Sequence, residues 1–393
     1  MSAADWPQFL GPQRDGHAAA QEKALPDALP SDLKPIWEKS AGSGFAGPVV
    51  AGGKVILFHR EGSDMTTEAL DATTGKPLWR TTYISDYVDS FGFDNGPRAV
   101  PAVAGDQVFT FGSEGRVTAM NLGDGKERWN YDTASALGSG QGFFGRAPSP
   151  LVVGGRVIIA AGGTLDGKPA GLVALDAASG KVAWTSVEDE AGYASPVMVD
   201  DKRLLAWMRN QLWLVNAADG SVLASRKLRS SMDASVNAAT PVACGDDRWL
   251  VSAGYGVGAS LLGVMQSSFA EIWQKEDTLD CHYATPVRVG DHLYGFHGRQ
   301  ESGMKLRCIE IATGRVAWED EEEVRGGTLI VIKDKLLVFT EMGELWLVRA
   351  SPAKYEKLSA LQVTRAGHRC HAAFADGVLY LRDAEKLVAL RLN

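Results

Sequence analysis

Arginine, histidine and aromatic residues recur in this chain at one kind of position. Phe45, Arg98, Arg146, Tyr193, Asn237, His282, Tyr283, Arg325, His368, Arg369 and His371 each stand just ahead of, or at, a short marker that repeats along the sequence. Arginine holds such places in four separate repeats, beside three histidines, although the net charge is −8. A planar guanidinium suits a carboxylate, sulfate or phosphate, because its fork makes paired, charge-assisted hydrogen bonds. Imidazole changes charge near neutral pH and serves as acid or base. If these side chains meet, the expected ligand is small and anionic or sugar-like, bound by Arg98, Arg146, Asn237, Tyr283, Arg325, His368 and Arg369. In a catalytic version of the same site, His282, His371 and Tyr193 are the acid–base candidates. The plainer alternative pairs the arginines with Asp89, Asp94, Asp280 or Glu323, where exposed ion pairs carry little energy.

Whether they meet depends on the elements between them. The marker reads Gly47-Pro48-Val49-Val50, Val100-Pro101-Ala102-Val103, Ser149-Pro150-Leu151-Val152, Ser195-Pro196-Val197-Met198, Thr240-Pro241-Val242-Ala243 and Thr285-Pro286-Val287-Arg288. Thr328-Leu329 and His371-Ala372 hold the same place without proline. A second unit, Asp71 to Trp79, recurs as Asn121 to Trp129, Asp176 to Trp184, Asn216 to Ala224 and Glu310 to Trp318, with a degenerate copy from Met265 to Trp273. Its centre is a glycine turn such as Thr74-Gly75 or Ser179-Gly180, flanked by alternating apolar and polar residues, which marks a β-hairpin. Successive markers lie roughly 40–50 residues apart with about four strands each, the period of a β-propeller. The expectation is an all-β, eight-bladed β-propeller of four-stranded antiparallel blades. Ile36-Trp37-Glu38-Lys39 reads as a lone outer strand, and residues 371–392 as a blade lacking one, so the N-terminal strand is expected to complete the C-terminal blade. Such a ring sets the loops ahead of the innermost strands around one axial mouth. Trp37, Trp79, Trp129, Trp184, Trp273 and Trp318 close outer strands and are expected to pack between blades. Ala224 and Lys357 stand where tryptophan is missing, so looser joints are expected there.

Residues 1–35, with Trp6, Phe9 and Leu10 among several prolines, read as a strap on the propeller formed by residues 36–393. An array can be long and still be one domain. The chain has 393 residues, 45% hydrophobic and 22% charged. A pI near 5.5 argues against nucleic acid as a partner, since phosphate neutralisation needs a basic footprint. No apolar run reaches the roughly 20 residues of a membrane helix. The first residues carry no basic-then-apolar leader, so the expectation from these residues alone is either a cytoplasmic protein or a periplasmic or secreted one whose leader has been removed. The four cysteines form no C-x-x-C. Cys281-His282 and Cys370-His371 carry types that bind zinc or copper, but at no compact ligand spacing, and no metal is expected. The runs 138–142 and 254–258 are glycine-rich without opening a helix of a βαβ unit, so they are not nucleotide loops; Phe143-Phe144 beside the first could offer stacking surface at the mouth.

The repeated Ala-x-Asp-x-x-Thr-Gly-Lys-x-x-Trp unit resembles the PQQ-type repeats of quinoprotein dehydrogenases and of relatives that bind no quinone, such as outer-membrane-protein assembly factor B. Asp5-Trp6-Pro7-Gln8-Phe9-Leu10-Gly11-Pro12 looks like the start of secreted bacterial propellers of this type. The resemblance implies a periplasmic or secreted binding or scaffold protein, with a protein partner as an alternative to a small ligand. Dehydrogenase members hold PQQ between a tryptophan and a disulfide of adjacent cysteines, with calcium on acidic and amide side chains. No two cysteines are adjacent here, so no cofactor is expected, neither PQQ nor calcium. An enzyme acting on a saccharide at the mouth is the alternative function, and a PQQ-dependent alcohol or sugar dehydrogenase a more distant one.

Overall fold

Short apolar runs between glycine turns pack on both faces when neighbouring sheets stack around an axis. Lys54–Glu61 shows this, being buried along its whole interior. The computed structural model describes residues 4–245, 247–367 and 369–392. It shows eight four-stranded antiparallel sheets arranged as a propeller. The first blade is Val49–Ala51, Lys54–Glu61, Asp64–Asp71 and Pro77–Ile84, from the innermost strand outward. The eighth is Ala373–Ala375, Val378–Arg382 and Lys386–Arg391, completed by Trp37–Ser40 from the other end of the chain. Trp37 faces Ala389 and Ser40 faces Lys386 in that closing pair. The ring and its closure therefore match the expectation. A five-residue helix, Thr133–Leu137, and a small hairpin, Thr164–Leu165 with Lys168–Pro169, are the additions to the repeat.

The tryptophans act as latches between consecutive blades. Trp37 donates from Nε1 to the Ala72 carbonyl at 3.0 Å, Trp79 to Leu122 at 2.9 Å and Trp129 to Ala177 at 3.0 Å. Trp184, Trp273 and Trp318 do the same to Ala217, Ile311 and Ser351. Five of these acceptors open the glycine turn of the next blade, with the indole against that glycine; Ser351, the acceptor for Trp318, opens a turn that has none. A Cβ on Gly75, Gly125 or Gly180 would stand 2.6, 2.4 or 2.6 Å from the ring. Small residues face the indole on its own sheet: Ala69, Ala119, Ala174 and Cys308 oppose Trp79, Trp129, Trp184 and Trp318, each beside a bulge. Where Ala224 replaces the tryptophan, Trp249 of the fifth blade shares a buried cluster with Trp207 and Leu214 of the fourth. At Lys357, the ammonium lies 4.2 Å from the Trp346 ring centre.

The Ser/Thr-Pro marker has its own physical reason. The Val100 N–H donates to Ser149 Oγ, Ser149 N–H to Ser195 Oγ, Ser195 N–H to Thr240 Oγ1 and Thr240 N–H to Thr285 Oγ1, at 2.9–3.1 Å. A chain of hydroxyls thus passes from blade to blade around the axis. The proline that follows removes an N–H that an innermost edge strand would leave unpaired.

Each innermost strand runs from the mouth down to a turn at the opposite face. The segment ahead of the first blade covers that opposite face. The Trp6 N–H donates to the Val50 carbonyl, and the Val103 N–H to the Pro7 carbonyl. Arg14 reaches the Pro150 carbonyl at 2.9 Å and the Ser149 carbonyl at 3.3 Å. His17 Nε2 lies 2.7 Å from the Arg288 carbonyl, the Ala18 N–H donates to Val331, and Glu22 accepts from the N–H groups of Asp376 and Gly377. Six blades are touched in turn, and the axial channel is stoppered. Arg14 sits in the stopper with oxygen partners but no carboxylate, and burial pulls its pKa down to about 9.

Candidate functional site

Above the stopper, the axis opens into a cavity of about 350 Å³ lined by Phe45, Phe91, Phe93, Phe143, Phe144, Tyr193, Tyr255 and Tyr283, with Phe9 of the stopper contributing from below. Ligand pockets usually span about 300–1,000 Å³, so there is room for one or two rings. The walls are built by long-range hydrogen bonds. In the loop after the first blade, Asp89 accepts from the N–H groups of Phe91, Phe93 and Asp94 and from Arg98. That folds Phe91 and Phe93 outward, where both remain more than half exposed. The Tyr193 hydroxyl accepts from Phe143 N–H at 2.7 Å and Phe144 N–H at 3.1 Å, so a residue of the fourth blade shapes a loop of the third. Phe91, Phe93, Phe143, Phe144 and Tyr193 form one chain of ring contacts, with centroids 5.1–6.3 Å apart.

The arginines lie over these rings and are paired. Arg98 stands 5.6 Å from the Phe45 centroid and is bound to Asp89 at 2.9 Å. Arg369 stands 5.4 Å from both the Phe93 and Tyr283 centroids, with Nε 3.0 Å from Glu341. Arg299 lies 4.3 Å from the Tyr255 centroid and 3.3 Å from Glu301. Arg209 covers Phe143 and pairs with Glu190. The plainer alternative thus holds for Arg98 with Asp89. Arg98 also spends its terminal nitrogens on Gly96 and Asp94 carbonyls. Arg369 and Arg299 differ: among the described residues their terminal nitrogens have no protein hydrogen-bond partner. Glu341 is buried beneath, accepting from the Tyr283 hydroxyl at 2.5 Å, and burial raises its pKa despite Arg369.

His282 and His371 also border the cavity. His282 Nε2 lies 2.8 Å from the Tyr255 hydroxyl, and Nδ1 faces Gln300 Oε1. His371 meets the edge of Phe9 at 4.7 Å between ring centres. Burial pushes both imidazoles down to about 4. His371 keeps some surface, but that surface faces the cavity within surrounding protein. Both are neutral at pH 7.

The candidate set therefore divides. Arg98, Tyr193, His282, Tyr283, Arg369 and His371 line the cavity. Arg146 does not: it is buried and turned onto the Glu114 and Ser139 carbonyls and Ser139 Oγ. Asn237 is spent on the Met208 and Arg209 carbonyls, and Arg325 is exposed outside the lining. His368 lies outside the described residues. Tyr255, Arg299, Gln300 and Glu301 were not in the set, because they sit on hairpin tips rather than ahead of innermost strands. The signal available for the first was an aromatic residue enclosed by glycines at 254–258.

The groups that would hold a quinone are not at this mouth. Among the described residues the lining has no tryptophan and no cysteine. Cys281 and Cys370 are buried, with thiols pushed up to about 12. No cluster of three or more metal-ligating side chains occurs among the described residues. The donor set does not fit a PQQ–calcium site. No helix among the described residues is long and apolar enough to cross a membrane.

A family model described as outer membrane protein assembly factor BamB matches residues 28–166 and 165–354. The serine/threonine-protein kinase AfsK of Streptomyces griseus is 33% identical over 175 residues, covering 43% of this chain and 19% of the kinase. The outer membrane protein assembly factor BamB of Burkholderia pseudomallei is 32% identical over 157 residues, 39% of this chain and 34% of that protein. The chain thus spans about a fifth and a third of these relatives. The quinohemoprotein alcohol dehydrogenase of Comamonas testosteroni shares the fold, with a TM-score of 0.70 at 14% identity over 99% of this chain and 80% of the other.

Proposed function

The chain belongs to the PQQ-like propeller family described as outer membrane protein assembly factor BamB, and on that footing we propose that it is a binding propeller whose mouth takes an acidic ring, a uronate sugar being the natural class. The observation that carries this is Arg369. Its guanidinium lies among the rings of Phe45, Phe93 and Tyr283, with Nε held by Glu341. Its terminal nitrogens remain for a ligand carboxylate, with Arg299 on the same lining. The aromatic walls offer faces on which a sugar ring stacks. The family description supports an extracytoplasmic setting. A protein partner is the second reading, favoured by an apolar rim on the mouth face: Val88, Phe91, Phe93, Met232 and Met342 are 63, 56, 52, 50 and 41% exposed.

Calorimetric titration with galacturonate and glucuronate oligosaccharides, against their neutral counterparts, tests the first reading. A hydrogen bond to a charged group contributes about 1.5–3 kcal/mol. Arg369→Ala should therefore weaken binding of the acidic series by about 10- to 150-fold and leave the neutral series little changed. Equal affinity for both series, or none for either, would overturn it.

A further inference from the structure

Binding alone leaves one part of the cavity wall without a role. The Tyr255 hydroxyl meets His282 Nε2 at 2.8 Å, His282 Nδ1 meets Gln300 Oε1, and Gln300 Nε2 donates to Glu301 at 2.9 Å. Arg299 closes the group, lying over the Tyr255 ring and against Glu301. All five residues border the cavity. The proton positions follow from the amide. Gln300 turns its NH₂ to Glu301, so its oxygen faces Nδ1, which must carry the imidazole proton. Nε2 then has the lone pair and accepts from the tyrosine. The Tyr255 oxygen is left with acceptor capacity toward the cavity and a base behind it. Its backbone supports this placement at a cost: Tyr255 holds a φ of 62° at a hairpin tip, a left-handed conformation that non-glycine residues avoid. Such outliers gather at functional sites.

The chemistry available is narrow. Glycoside hydrolysis by the usual route needs two carboxyl groups flanking the bond. Among the described lining residues Glu301 is the one carboxylate, and Arg299 and Gln300 occupy it. Elimination next to a carboxylate needs less. It requires a base for the proton beside the carboxylate, cations to stabilise the charge that develops there, and a proton for the departing oxygen.

We propose that Tyr255, backed by His282, is the catalytic residue of a β-elimination that cleaves 4-linked uronate glycans, with Arg369 and Arg299 on the uronate carboxylate. This rests on the uronate-binding reading above. Tyr255 Oη takes the C5 proton as its own proton passes to His282 Nε2. The C5–H electron pair forms the C4=C5 double bond, and the C4–O4 bond breaks with its pair on O4. The proton held on His282 returns through Tyr255 to O4, which leaves as a hydroxyl. One product ends in a 4,5-unsaturated uronate, the other in a free hydroxyl, and no water or other co-reactant is consumed. His282 acts through Tyr255 as a positioning residue. Because burial holds its imidazole neutral down to about pH 4, the reaction should persist through neutral pH and fall only below that point.

The experiment uses oligosaccharides prepared from polygalacturonate, alginate and heparin. Binding is measured by calorimetry, and the ultraviolet absorbance of the conjugated unsaturated end is followed on whichever oligosaccharide binds. Wild-type protein should bind and generate the absorbance. Tyr255→Phe should bind as before while turnover falls about 100- to 10,000-fold. His282→Gln should lower turnover and lose the acid limb of the pH profile, which a purely structural role would leave in place. Wild-type protein that binds an oligosaccharide yet forms no unsaturated end overturns the elimination and leaves the binding reading standing. Protein that binds none of them overturns both. Tyr255→Phe with undiminished turnover removes Tyr255 from the reaction.

Discussion

Two glycines of the third blade allow the indole latch to be weighed separately from backbone conformation. Gly155 has φ 72° and nothing within 4 Å of where a Cβ would stand. Gly180 has φ 71°, and its Cβ would stand 2.6 Å from two ring carbons of Trp129. Both alanine substitutions pay the same left-handed penalty, about 1–2 kcal/mol. Gly180→Ala adds the cost of forcing a well-packed ring aside, about 1–3 kcal/mol, and strains the bond from Trp129 Nε1 to the Ala177 carbonyl, worth about 1 kcal/mol. The expected destabilisation is thus about 1–2 kcal/mol for Gly155→Ala and about 2–5 kcal/mol for Gly180→Ala. Urea unfolding followed by tryptophan fluorescence measures both, compared at unchanged slope. In a Trp129→Leu background the two substitutions should become equivalent, because the ring that separates them is gone. Equal effects of the two alanines in the native background, within about 0.5 kcal/mol, would refute the latch as the reason glycine is required at the turn.

Other outcomes follow from the same structure. Arg146→Ala should destabilise the protein by about 2 kcal/mol, through its bonds to Glu114 and Ser139, and leave uronate affinity unchanged in the calorimetric titration. His282 and His371 have folded-state pKa values near 4, below the roughly 6.5 of an unfolded chain. The unfolded state therefore takes up more protons as pH falls from about 6.5 to 4, and stability should drop across that window. His371→Leu should shrink the difference in unfolding free energy between pH 7 and pH 4 by up to about 3 kcal/mol, read from denaturant titrations at the two pH values. Trp6 is 2% exposed, and Trp6→Ala should cost about 3–5 kcal/mol, seen as a lowered thermal midpoint.

The blades were legible because their cause is local. Alternation, glycine turns and the Ser/Thr-Pro marker each act within a few residues, and every repeat restates them. Closure was legible because the lone strand at Trp37 and the incomplete blade ending at Leu392 are complementary. The mouth was legible only in part. Position ahead of an innermost strand places Arg98, Arg146 and Arg369 in mouth loops, but not the direction each side chain takes. Arg98 turns to Asp89, Arg146 to Ser139, and Arg369 alone of the three keeps its terminal nitrogens without a hydrogen bond to the described protein. Those directions are set by partners far along the chain, as Tyr193 sets Phe143 and Phe144 across about fifty residues. Tyr255 and Arg299 reach the same cavity from hairpin tips, a second tier of the ring that the marker does not index.

The stopper formed by residues 5–22 gives the molecule a front and a back. With that segment lying across the axis from behind, the cavity presents its aromatic rim on one face of the ring. Asp5 sits beside Gly52, on the far side from that rim. A tether, tag or surface joined ahead of Asp5 would therefore hold the protein by its back and leave the entrance facing the surrounding medium.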